Sequence, residues 1–242
     1  MGGSGIEGER CRNEAGRDCK AKIMKERRQF LKTFVAFFAG VGVWLNPVVS
    51  VLASGVKKVG KIILPKGTDR GTLIGKNPAT LDTRNLEPTP LKEFGTMGLT
   101  DHAVDLETWR LEVTGEVGEP LRLRYEEITA LPSIERNVLL ICPGFFANHG
   151  TWKGISIQAL LDLAKAHKGV THVTIRGPEG RYESLQRYPI EDIFSDKVFL
   201  AYQVNGKALP ERHGFPLRTV AEDYYGYDWV KYVYKVTVDK IE

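Results

Sequence analysis

The pattern that most limits the fold is the spacing of apolar residues beyond position 100, which run in twos far more than in threes and fours. Trp109, Leu111 and Val113 alternate with Arg110, Glu112 and Thr114, and the last segment, Val230 to Ile241, sets Val and Tyr against Lys. A period of two sends successive side chains to opposite faces of a strand, one buried and one wet. Between these two stretches lie further strand-like runs: "PLRLR", the strongly apolar Arg136 to Cys142, "THVTIRG", and "VFLAYQVNGKAL", which runs into Asn205-Gly206, a favoured tight-turn pair. Helical spacing is confined to "YEEITAL", "PIEDIF" and Ile155 to His167, where Ile157, Leu160, Leu161 and Ala164 share a face. Strands outnumber helices and no regular crossovers separate them, so the class is α+β rather than doubly wound. Val230 to Ile241 is expected to close the sheet.

Three segments follow from this reading. Residues 1–53 are an N-terminal extension ending in an apolar stretch, 54–86 are rich in Lys, Gly, Pro and Thr with little periodicity and read as a linker or extended arm, and 87–242 are the folded domain. Lys25 to Lys32, "KERRQFLK", with paired Arg27 and Arg28 ahead of a Gly-containing apolar run, resembles a twin-arginine export signal, with small residues allowing cleavage after Ala53. That route carries folded proteins, often with cofactors inserted, so the address points to a cofactor and to a periplasmic location. The alternative is a membrane anchor at residues 33–53, long enough to span at about 1.5 Å per residue; Asn46-Pro47 and several Gly weigh against it. Met24 stands where such a signal would begin, and it is the expected true start, with Cys11 and Cys19 upstream of it.

Charge excludes one class of partner. Residues 1–32 hold nine Lys/Arg against five Asp/Glu, while 33–242 hold 25 of each, so the formal charge of +4 belongs to the N-terminus. A nucleic-acid surface on the folded part would need a basic excess that is not there; a local basic pocket is compatible with the balance.

Cys142 is the one cysteine of the folded part, which therefore has no internal disulfide. A single cysteine is more often a small core hydrophobe than a functional thiol. Cys142, however, ends an apolar strand and leads into "PGFFANHG", a Pro/Gly loop of the kind that carries functional groups, and a thiolate there suits a soft metal. Structural zinc is rejected, since Cys142 and His149 lack any CxxC or His-x3-His partner. A cysteine nucleophile with His149, His167, His172 or His213 as base stays open. No GxGxxG, P-loop or CxxCH haem attachment is present, so nicotinamide, nucleotide and covalent haem readings lack support.

"VFLAYQVNGKALPERHGFPLR", Val198 to Arg218, resembles the sulfite oxidase superfamily of molybdopterin oxidoreductases, through LAY, NG, LP and HGFP-L-R in order. The likeness extends from about Glu87 to Glu242 through "EFGT" at Glu93 to Thr96, "WRLEVTGEV", "WKG" after Cys142 and the terminal "WVKYVYKV". It implies a mixed-sheet, single-domain fold and a molybdenum-molybdopterin cofactor, with Cys142 as the thiolate ligand of the metal. It further implies that His213 and Arg218 contact the pterin and its phosphate, with Lys231 as another cofactor-binding residue. Thr174 is a looser match to a pterin contact, and Glu93 and Phe94 correspond to a cofactor-contacting segment of the periplasmic methionine sulfoxide reductase branch. Tyr202 matches the tyrosine beside the metal in sulfite oxidases, and is the expected substrate-side hydroxyl. The arginines that bind sulfite have no equivalents: Thr96 or Met97 falls near one position, and Phe145 and Phe146 follow Cys142. Phe145, Phe146, His149 and Trp152 are candidates for the entrance.

The expectation is an exported molybdenum-dependent oxidoreductase that moves an oxygen atom to or from a small substrate. Reduction of sulfoxides or N-oxides is an alternative, as is a molybdopterin-binding module without turnover. Because the chain stops about ten residues after Lys231, no second dimerisation domain is expected, and a monomeric catalytic subunit follows. With no haem motif, electrons are expected to pass through a separate partner, a membrane haem subunit or a periplasmic cytochrome.

Overall fold

The computed structural model describes residues 60–241; the twin-arginine pattern, the apolar segment up to Ala53, Cys11, Cys19 and Met24 lie outside the described residues. In chain order the strands are β1 (Ile62–Ile63), β2 (Leu81–Asp82), β3 (Leu111–Gly115), β4 (Leu121–Leu123), β5 (Ser133–Cys142), β6 (Phe146–Ser156), β7 (His172–Arg176), β8 (Leu185–Pro189), β9 (Val198–Val204), β10 (Lys207–Ala208), β11 (Arg218–Ala221) and β12 (Lys235–Asp239). Three short helices, α1 (Tyr125–Thr129), α2 (Ile157–Leu163) and α3 (Ile190–Phe194), interrupt them. The α+β class holds.

Two five-stranded sheets carry the domain. The first runs β10-β9-β6-β5, with β11 also on β9, and is antiparallel throughout. The second runs β4-β3-β12-β7-β8 and is mixed, because β12 is parallel to β3 and antiparallel to β7. β12 therefore sits in the middle of its sheet instead of closing an edge: Val236 and Val238 are buried between the inward residues of both neighbours, Val113 and Val173 among them. These residues share one core with Ile155, Leu200 and Val220 of the first sheet and with Ile157, Leu160 and Leu161 of α2. Each such side chain removed from water stabilises by about 1.5–3 kcal/mol.

Five strands are not legible as such: β1 and β2 lie in the stretch that reads as a linker or extended arm, β6 lies where the sequence reads as a Pro/Gly loop followed by a helix, and β8 and β11 carry no clear alternation. β9 turns into β10 through Asn205 (φ +51°) and Gly206 (φ +73°), as the pair suggests.

Residues 60–86 belong to the same compact unit as the rest. Leu64, Leu73, Leu81 and Leu86 pack as a second, smaller core on Leu139, Ile141 and Ala147 of β5 and β6. Their turns are capped by side chains, Asp69 accepting from Gly71 N–H and Asn77 from Ala79 N–H. Among the described residues no helix is long and apolar enough to cross a membrane.

Candidate functional site

The β5–β6 hairpin places Cys142. Strand β5 ends there because Pro143 and Gly144 make a tight turn: Gly144 has φ +80° and Phe145 N–H donates to the Cys142 carbonyl at 3.0 Å, the type II pattern of Pro then Gly. Cys142 pairs with Phe146, Leu140 with Asn148 and Arg136 with Trp152. Alternation then sorts the hairpin into two faces. Leu140, Cys142, Phe146, Asn148 and Trp152 line a cavity of about 340 Å3, while Leu139, Ile141 and Ala147 face the leucines of residues 60–86. His149, paired with Leu139, goes with the second face.

The segment from Phe94 to Leu99 crosses the cavity as a strap. Asn148, 3% exposed, clamps its backbone from below, accepting from Gly95 N–H at 3.1 Å and donating to the Gly95 carbonyl at 2.9 Å. A side chain at Gly95 would put its Cβ 2.4 Å from the Phe146 ring, so only glycine fits under the clamp. On the other side Lys231 Nζ donates to the carbonyls of Met97 and Leu99 at 2.8 and 2.7 Å. This brings Met97 onto Cys142, whose thiol donates to the Met97 sulfur at 3.2 Å. Cys142 is 8% exposed and Met97 43%; burial pushes the thiol above its ordinary range.

The far part of the cavity is basic. From Phe146 beside the thiol to Trp152 is six residues of strand, about 20 Å at ~3.3 Å each. There Arg218 lies buried between the rings of Trp152 and Trp229, its guanidinium carbon 5.1 and 5.4 Å from their centres. One of its terminal nitrogens donates to the His213 carbonyl at 3.0 Å, and its Nε has no protein partner. Burial lowers Arg218 to about 10 and, with Arg218 beside it, Lys231 to about 8. His213 is buried against the Phe94 ring and lowered to about 4, first by desolvation and then by Arg218, Arg212 and Lys231. Its Nε2 accepts from Arg212 Nε at 3.1 Å, as a neutral imidazole does. A buried cation with an unsatisfied donor costs several kcal/mol unless an anion meets it, so this end of the cavity is built for an acidic group.

Of the residues singled out in the sequence, the structure brings Cys142, Phe94, His213, Arg218 and Lys231 to one cavity. Glu93 lies beside the strap but points outward, bonded to Arg70 at 3.2 Å. Thr174 is not at the cavity: Val173 and Ile175 take the core face of β7, so Thr174 takes the other, where its hydroxyl donates to Asp239 and accepts from Arg187. Tyr202 is not there either. It lies opposite the bulge between Lys153 and Gly154, about seven residues along β6 from the partner of Cys142 and one strand further over, or ~23 Å along the sheet. At 4% exposed its ring belongs to the core, near Tyr125. Phe146 and Trp152 line the cavity as expected, Phe145 is 63% exposed, and His149 faces away. No histidine bonds the thiol: His167 meets Glu116, His172 meets Thr171, and His213 meets Arg212. Among the described residues no three His, Cys, Asp or Glu side chains converge to hold a metal. Sequence reasoning missed Asn148 and Tyr232. Asn148 is revealed only by its pairing with Gly95.

Comparison with known proteins gives one family. Residues 98–242 match the oxidoreductase molybdopterin binding domain. The catalytic subunit MsrP of protein-methionine-sulfoxide reductase from Gluconobacter oxydans is 31% identical over 193 residues, 65% of this chain and 62% of that one. The oxidoreductase YuiH of Bacillus subtilis is 29% identical over 130 residues, 53% of this chain and 64% of that one. An NADH nitrate reductase of Volvox carteri is 30% identical over 163 residues, 55% of this chain but 19% of its own. Among solved structures, the sulfane dehydrogenase SoxCD of Paracoccus pantotrophus superposes with a TM-score of 0.55 at 18% identity, covering 85% of this chain and 59% of that one. The chain thus spans under two thirds of the length of each.

Proposed function

The chain belongs to the molybdopterin-binding oxidoreductases, and from that premise we propose that it is an oxygen-atom-transfer enzyme whose metal is held by Cys142. Family membership implies a molybdenum cofactor, and the cavity suits it at both ends. Cys142 offers one soft ligand, and among the described residues no cluster of protein ligands surrounds it, which fits a metal whose other ligands belong to the cofactor. Arg218 and Lys231 offer a guanidinium fork and an ammonium to a phosphate. The single observation that carries the reading is this pairing of a lone buried thiol and an uncompensated basic end in one cavity.

Molybdenum bound to molybdopterin supplies the redox chemistry, the exchange of an oxygen atom between metal and substrate. The chain supplies the rest. Cys142 Sγ must give up its proton to ligate, and burial opposes that until a cation is beside it. Asn148 and Lys231 hold the strap over the thiol and so fix Met97 there. Phe94 and Trp152, edge to face at 5.9 Å, wall the middle of the cavity against water.

The direction of reduction, with a sulfoxide or N-oxide as oxygen donor, is favoured by the side chains around the thiol. Met97, Phe145 and Tyr227 are exposed large apolar groups, and Arg181, which lines the cavity, is exposed and shares Asp101 at 3.6 Å. A neutral substrate fits such a rim better than an anion. The paired Arg27 and Arg28 support export to the periplasm after folding, and electrons are proposed to pass through a separate haem-bearing partner.

The test is metal analysis of the protein from a molybdenum-supplied, export-competent host beside its Cys142→Ser variant. About one molybdenum per chain, lost or inert in a folded Cys142→Ser protein, is expected, with sulfoxides and sulfite then screened using a dye. Full turnover by Cys142→Ser removes the ligand assignment, and pterin without turnover leaves a binding module.

A further inference from the structure

Three buried donors in the cavity wall meet no protein acceptor: Arg218 Nε, the indole N–H of Trp229 and the hydroxyl of Tyr232. Buried polar groups nearly always find partners; four further buried side-chain atoms, on Trp109, His149 and Thr219, lack one elsewhere among the described residues, but only here do three such side chains share one wall. The neighbouring tryptophan shows the ordinary case, with Trp152 Nε1 donating to the Val138 carbonyl at 3.1 Å. Trp229 is held in place because its ring covers Arg218 and meets Trp152 edge to face at 5.6 Å.

Tyr232 is held more firmly still. It is 2% exposed, and its backbone is in the left-handed region at φ +56°, which a bulky residue avoids unless its surroundings impose it. Backbone bonds on either side impose it, from Thr219 N–H to the Val230 carbonyl at 2.8 Å and from Val233 N–H to the Leu217 carbonyl at 2.9 Å. His102 and Tyr182 pack edge-on to the ring at 4.9 and 5.9 Å, and Lys231 Nζ lies 5.6 Å from its centre. The backbone of His102 approaches the hydroxyl without completing a bond. The phenol also stands within electrostatic reach of Arg218.

We propose that Tyr232 and Trp229 donate hydrogen bonds to the acidic end of the bound molybdopterin, completing with Arg218 a three-donor seat. This rests on the cofactor reading above and gives a role to two residues that the motif contains without assigning them one. Both are binding residues on the basic side of the cavity and set retention of the cofactor rather than the chemical step.

The test uses Tyr232→Phe, which removes one oxygen and keeps the ring, with Trp229→Phe as a second variant. Pterin and molybdenum content are measured after purification, and pterin release is followed under dialysis. Loss of a bond to a charged acceptor predicts release about tenfold faster than from the parent protein. Melting of cofactor-free Tyr232→Phe should be unchanged or higher, because an unpartnered hydroxyl has been deleted; a merely structural tyrosine would lower it. Equal retention by both variants in a parent that carries pterin overturns the seat alone. A folded parent that carries no pterin overturns the cofactor reading and the seat with it.

Discussion

Replacing Asn148 by alanine tests the strap. The side chain makes two bonds to one peptide unit, Gly95 N–H at 3.1 Å and Gly95 carbonyl at 2.9 Å, from a position 3% exposed. Alanine removes both and leaves the two Gly95 groups with the adjoining cavity as their only outlet. A net bond is worth about 1 kcal/mol and an orphaned buried group about 1–3 kcal/mol, so with partial access to water the loss is about 2–4 kcal/mol. The damage should be local in kind. Phe94 touches Trp152 and His213 edge-on, and Met97 reaches Cys142 only because the strap is pinned. Urea denaturation gives the magnitude, and hydrogen exchange at the Gly95 amide shows whether the strap opens before the domain does. A loss below about 0.5 kcal/mol with the Gly95 amide still protected would refute the clamp.

Two further outcomes follow from the same geometry. In the cofactor-free protein His213 sits near 4 against an ordinary 6.5, so between those values the unfolded chain binds the proton more tightly, and stability rises with pH through that window and is lost as pH falls. The effect is up to about 3 kcal/mol; urea midpoints at pH 4.5 and 7 should show a slope that His213→Gln reduces, with His149 and His102, lowered by burial in the same way, contributing to the remainder. Tyr202→Phe should keep metal content and turnover within about twofold, because the ring lies ~23 Å along the sheet from the thiol; a loss of tenfold or more in a folded variant would return Tyr202 to the site.

What could be read from the chain depended on whether a residue's surroundings are local. Trp109, Leu111 and Val113 announce β3 because one face meets core and the other water. Cys142 announces the end of β5 because Pro143-Gly144 can form little else. β6 hid itself because neither of its faces meets water: one lines the cavity and the other packs on the leucines of residues 60–86. Gly154 is needed where the Leu200 carbonyl would stand 1.9 Å from a Cβ, a Cβ at Gly150 would crowd the Phe94 ring at 3.0 Å, and His149 lies on the face that meets the leucines of residues 60–86. The strap was illegible for another reason: its anchors come from 53 residues downstream in Asn148 and more than 130 in Lys231. The resemblance transferred Arg218, His213 and Lys231 to the cavity because they follow one another on fixed turns. It misplaced Thr174 and Tyr202, where the face and the register decide what a strand residue meets.

The balanced charge of residues 33–242 conceals how the charges are arranged. Carboxylates pair with surface cations, as Glu222 does with Arg136, Asp223 with Lys61 and Lys197, and Glu119 with Lys165, while Arg218 and Lys231 are left to repel each other around a neutral imidazole. Arg218 lowers the affinity of Lys231 for a proton and both lower that of His213, so the cavity resists its own closure. An anion seated among them adds an attraction to each cation that offsets this mutual repulsion. Its contribution enters only when β6, β11 and the Trp229–Tyr232 segment have already come together, since these alone bring the donors into one place. Binding that favours only the folded chain adds directly to folding stability. The site's electrostatics therefore tie the seating of an anion to folding.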